Sequence, residues 1–69
     1  MTTNHTAQQI ITRLSRVEVS ARYDAQTRRM MRDERVALTA AVQSRDQSRI
    51  RAAMAEAQRV AEMWGVACR

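Results

Sequence analysis

Arg22-Tyr23-Asp24-Ala25-Gln26-Thr27-Arg28-Arg29 is a stretch without a single large aliphatic residue, set between two segments that have them at regular intervals. On its N-terminal side Ile10, Leu14, Val17 and Ala21 recur three and four residues apart, which a helix gathers on one face. A straight helix continued from Ile10, at about 100° per residue, brings Arg28, Arg32 and Arg35 to the angular positions of Ile10, Leu14 and Val17. One face therefore turns from apolar to basic. Meanwhile Met31, Leu38 and Val42 collect about a quarter turn round. Two folds are compatible with this. The stretch has neither Gly nor Pro to stop a helix, so a continuous helix over 7–43, kinked within 22–29, is the expected form. The alternative is a break near Asp24, a residue able to cap a new helix, which gives a three-helix bundle.

Working outward, Thr6 stands three residues before Gln9, a capping-box spacing that predicts a helix start, with residues 1–5 as a flexible leader. Glu18 lies four before Arg22, and Asp24 four before Arg28, the orientation of stabilising intrahelical ion pairs. Downstream, Ser44-Arg45-Asp46-Gln47-Ser48 predicts a turn at 44–46, with Ser44 and Asp46 as competing caps of a second helix over 46–64. That helix carries the most regular stripe in the chain: Ile50, Ala53, Met54, Ala57, Val60, Ala61 and Trp64. Gly65 follows where a C-terminal cap is expected, and 65–69 is expected to be a loose tail. So short a turn makes the flanking helices antiparallel. Small residues at Ala37, Ala40 and Ala41 opposite Ala53, Ala57 and Ala61 predict a close approach. Leu38, Val42, Ile50, Ala53, Met54, Ala57, Val60 and Ala61 form the expected core of this all-α helical hairpin.

Whether such a hairpin is stable alone is a matter of size. At 69 residues a single core supplies only about 3 to 5 kcal/mol unless something reinforces it. A disulfide within the chain is excluded, since Cys68 is the lone cysteine, and His5 and Cys68 stand too far apart in sequence to suggest a metal site. Association remains. A helix over 7–43 is about 55 Å long against about 29 Å for 46–64, so the longer arm overhangs and leaves Ile10, Leu14 and Val17 in water. Pairing two hairpins into a dimeric helical bundle covers them. The expected oligomer or partner interface is Ile10, Leu14, Val17, Ala21, Tyr23, Met30, Met31 and Trp64.

The chemistry of the surface narrows the function. The formal charge is +5, and all twelve basic residues are Arg, with no Lys. Arg favours forked contacts to phosphate and carboxylate, although a GC-rich genome also makes Arg abundant. Catalysis needs a group that exchanges protons or attacks near neutral pH and a second group to hold it. One His near the start, one Cys near the end and an adjacent, diverging Asp33 and Glu34 do not provide that, and no glycine loop cradles phosphate. No enzyme activity, cofactor or metal is expected. No apolar run reaches the ~18 to 20 residues of a membrane span, and no signal-like segment opens the chain, so a cytoplasmic location is expected.

Two functions are then in play. The first is a protein-interaction module, a regulator, inhibitor or co-chaperone that docks its surplus apolar stripe and flexible Met30, Met31, Met54 and Met63 on a larger protein. In size and arrangement the chain resembles small bacterial or phage-encoded helical hairpins, secretion co-chaperones among them; the likeness covers architecture only and assigns no residue. The alternative is a Rop-like dimer that binds RNA or DNA through Arg22, Arg28, Arg29, Arg32 and Arg35. Against it stand Asp24, Asp33 and Glu34 in the same segment, with Tyr23 the lone aromatic there for stacking.

Overall fold

Asp24 decides the architecture. In the computed structural model, which describes residues 2–66, its backbone is extended (φ −72°, ψ 170°) and its Oδ1 accepts the Thr27 amide at 2.8 Å. The Arg28 amide then donates to the Asp24 carbonyl at 3.0 Å, the first bond of a new helix. The chain thus forms three helices, α1 (Thr2–Glu18), α2 (Ala25–Ser44) and α3 (Gln47–Met63), and no strand among the described residues. The long helix over 7–43 expected above is two helices, and the three-helix alternative is the one found. Each helix packs on both others. At 1.5 Å per residue α2 is about 30 Å long, so it lies along the 33 Å axis of a molecule only 18 and 17 Å across.

The physical reason lies in the angular mismatch of the two apolar stripes. A straight helix cannot turn Ile10, Leu14 and Val17 toward the same neighbour as Met31 and Leu38. Reversing the chain over 19–24 lets both stripes enter one core. Ala7, Ile10, Leu14 and Val17 of α1 join Met31, Leu38 and Ala41 of α2, and Ile50, Ala57, Val60 and Ala61 of α3. Leu14, Met31, Leu38 and Ile50 are wholly enclosed, each burial contributing about 1.5 to 3 kcal/mol relative to exposure.

Several expectations change with the break. Ile10, Leu14 and Val17 are 3, 0 and 7% exposed within a single chain, so the stripe that called for a second hairpin is covered by the chain itself. Met31, expected at an interface, is core. Tyr23, Met30 and Trp64 are half-buried against that core, together with Val42, Ala53 and Met54, whereas Ala21 is exposed in the α1–α2 link. Ala41 alone of the small residues of α2 is buried; Ala37 and Ala40 face solvent, because α2 turns Leu38 and Ala41 inward. Helix α1 begins at Thr2, so Thr6 lies inside it and the expected leader is helical from Thr2.

The other boundaries follow local chemistry. Asp46 wins the competition to cap α3, accepting from the Ser48 and Arg49 amides at 2.9 and 3.3 Å, while the Ser44 hydroxyl donates to the Ala41 carbonyl at 2.6 Å. At the end of α3, Gly65 is left-handed (φ 73°); its amide donates to Glu62 and the Val66 amide to Ala61 at 2.7 Å, the paired bonds of a Schellman cap. Val66 is therefore buried, not loose; Ala67, Cys68 and Arg69 lie outside the described residues. Among the described residues Arg45 is the one non-glycine residue with positive φ, at 60°, ending α2. A left-handed conformation costs a side-chain-bearing residue about 1 kcal/mol. Arg45→Gly is expected to raise thermal stability by that order, offset in part by greater freedom of the unfolded chain; a lower melting temperature contradicts this.

Candidate functional site

The charges sort themselves unevenly over this bundle. Of the acids, Glu56 pairs with Arg59 at 2.7 Å, Asp46 lies 3.9 Å from Arg49, and Asp33 lies 3.6 Å from Arg32 with both side chains more than half exposed. Asp24 is committed to its cap: hydrogen bonds from the Thr27 amide and hydroxyl hold its carboxyl below the ordinary range. Arg13, Arg16, Arg22, Arg28, Arg29, Arg45 and Arg51 have no carboxylate within ion-pair distance among the described residues.

Four arginines lie near the reversal. Arg28, Arg29 and Arg32, with Ala25 and Glu18, line a shallow, open hollow between the end of α1 and the first half of α2. Arg22, in the link before Asp24, is exposed. Successive turns of α2 place Arg28, Arg32 and Arg35 on one side, as the sequence spacing predicts, with Arg29 beside them. Their states differ. Arg29 and Arg32 project into solvent and Arg28 is half-buried, its Nε donating to the Asp24 carbonyl at 3.4 Å. Arg35 is held: its Nη2 donates to Glu18 Oε1 at 3.2 Å and its Nε to Oε2, a fork that ties α2 to α1. Glu18 raises the guanidinium pKa further, so Arg35 is a fixed cation.

Of the acids expected to cancel this face, Asp33 stays 3.6 Å from Arg32 and Asp24 is committed to its cap, while Glu34 looks elsewhere. Glu34 turns to the α2–α3 side, where burial first, and the nearby Glu56 second, push its carboxyl above the ordinary range, against the pull of Arg59. The sign is clear: a carboxyl raised in the folded state is less stable ionised there than in the unfolded chain, so its cost is present at neutral pH and disappears as pH falls toward 4.5. Glu34→Gln is therefore expected to raise the melting temperature at neutral pH and to leave it unchanged near pH 4. A variant less stable than the parent at neutral pH contradicts this.

Some of the arrangement was not readable from spacing. The expected Glu18–Arg22 pair does not form, because α1 ends at Glu18; its carboxylate instead meets Arg35, seventeen residues on. Asp24 bonds Arg28 through its backbone oxygen, not through an ion pair. Tyr23 is half-buried against the core. Among the described residues no three His, Cys, Asp or Glu side chains gather as a metal site, and no helix is long and apolar enough to cross a membrane. Geometrically the face is an array of fixed and free guanidinium groups, suited to holding oxyanions spaced along a surface. Comparison of the chain with protein-family models, with curated proteins and with solved structures finds no match.

Proposed function

We propose that this chain is a non-enzymatic binding module that docks on the phosphate backbone of nucleic acid through Arg22, Arg28, Arg29 and Arg32. The observation that carries the reading is their concentration at the α1–α2 reversal with Glu18 as the single acid in the hollow, and that acid already occupied by Arg35. Duplex DNA presents one negative charge per roughly 1.7 Å of axis, so several such cations engage at once. Four of them hold only weakly at physiological salt, which suits a protein acting at high local concentration or beside a second binding element.

An apolar docking face has less support than the sequence implied. Its residues Ile10, Leu14, Val17 and Met31 lie in the core. The exposed large apolar side chains are Val19, Val36 and Met63, at 84, 53 and 70% exposure. One observation still favours a protein partner. Val36 stands one turn beyond Arg32, so an acidic protein surface with an apolar spot fits the same face, in keeping with a small regulator or inhibitor.

Salt separates the two. Fluorescence anisotropy with a labelled single-stranded oligonucleotide should give a slope of log K against log salt of about −3 for four phosphate contacts. Between about 50 and 200 mM salt that is a loss of roughly fiftyfold to sixtyfold. Absence of binding at the lower salt, or binding insensitive to salt, contradicts the nucleic-acid reading.

A further inference from the structure

The two connections of this bundle are built differently. The α2–α3 turn is two residues long and includes Arg45 in a left-handed conformation, so α2 and α3 cannot straighten into one helix without losing their mutual packing and refolding the turn. The α1–α2 link, 19–24, has neither Gly nor Pro, and none of its residues has positive φ. Val19, Ala21 and Arg22 in it are exposed, and its reversal is held by few bonds: the Ser20 amide to the Val17 carbonyl, the Arg22 amide to the Ser20 hydroxyl, the Asp24 cap, and the Glu18–Arg35 fork across it. Residues 19–24 are thus a segment of ordinary helix-compatible chain bent for a tertiary reason.

We propose that α1 is exchangeable between two copies of this chain: the link straightens, α1 and α2 run on as one helix, and the Ala7, Ile10, Leu14 and Val17 face of each copy packs on α2 and α3 of the other. The occupant is a second copy because its α2–α3 surface is, residue for residue, the surface that α1 already covers. Every core contact that α1 makes in the single chain is then remade between chains, the α2–α3 packing stays within each chain, and only the link differs. The gain is the added helical turns of two links, and the loss is the translational freedom of two molecules, so concentration sets the balance. In the straight form Ala21 falls on the α1 stripe, one turn beyond Val17. This proposal does not depend on what the basic face binds.

The test is refolding from denaturant at low and at high protein concentration, under reducing conditions, followed by mass determination. High concentration should give a dimer with equal or greater helicity that returns slowly to monomer on dilution. Isotope-filtered nuclear Overhauser spectra of a dimer refolded from labelled and unlabelled chains should place contacts from the Leu14 methyls to α2 and α3 between chains. Two variants move the balance in opposite directions. Ala21→Gly disfavours a helical residue about fivefold, so roughly twenty-five-fold in the dimerisation constant for two links. Ser20→Ala removes the Arg22 amide's acceptor and favours the straight link, raising the dimer fraction without touching the core. A chain that stays monomeric at every concentration, a dimer whose Leu14 contacts remain within one chain, or a dimer fraction unmoved by Ala21→Gly would overturn the proposal.

Discussion

Leu14→Asp is expected to unfold the whole chain. Leu14 is wholly enclosed at the centre of the α1 face, where a carboxylate has neither water nor a partner. Truncation of an enclosed Leu alone costs about 2 to 5 kcal/mol, and a domain of this size has roughly 3 to 5 kcal/mol in all. Adding an unpaired charge exceeds what is left. The measurement is far-UV circular dichroism with melting, beside Thr12→Asp, an exposed position on the same helix. Loss of helical signal in the first and its retention in the second is the expected result. The comparison also discriminates between architectures. Were the Leu14 face a seam between two otherwise self-sufficient hairpins, the substitution would yield folded monomers instead. A melting curve like the parent's would place Leu14 outside the core.

The second large effect concerns binding. Replacing Arg29 and Arg32 together by Glu should abolish measurable oligonucleotide binding at low salt while changing the melting temperature little. Both side chains are exposed, and among the described residues the only carboxylate within ion-pair distance of either is Asp33, at 3.6 Å from Arg32. Two phosphate contacts disappear and two repulsions replace them, so a loss of about a hundredfold or more is expected. The control is Arg16→Glu with Arg51→Glu, which alters net charge equally at exposed positions away from the hollow. Equal losses from both pairs would mean that only overall charge matters, and that the reversal holds no site.

How much of this was legible in the residues follows from the range of each interaction. The α2–α3 turn, Gly65 as the end of α3 and the buried stripe of Ile50, Ala57, Val60 and Ala61 are all set within a few residues, and spacing predicts them, while for the cap of α3 it leaves Ser44 and Asp46 in competition. Asp24 had the chemistry of a cap as well, but whether it acts as one is decided at longer range. Local preference favours helix through 19–24; the break is imposed because Ile10, Leu14 and Val17 must share a core with Met31 and Leu38. The angular jump from an apolar to a basic face marks the break, and it outweighs the absence of Gly and Pro. The same reversal settles the fate of Met31 and Ala21, whose places on a continuous helix differ from those in the bundle. The Glu18–Arg35 fork was hidden for a related reason: sequence spacing reveals pairs within one helix, and this pair joins two.

Small-angle scattering on a dilute, natively purified sample, with mass determined in the same run, tests the bundle most directly. A single chain of 7.9 kDa folded over its own α1 has a Cα radius of gyration of 11.3 Å and a longest extent of 33 Å. A compact chain of this length has about 11 Å by size scaling. The predicted result is monomeric mass with a radius close to these values once hydration is added. A particle extended to about 55 Å or beyond, the reach of an unbroken first helix, or twice the mass at low concentration, would contradict it.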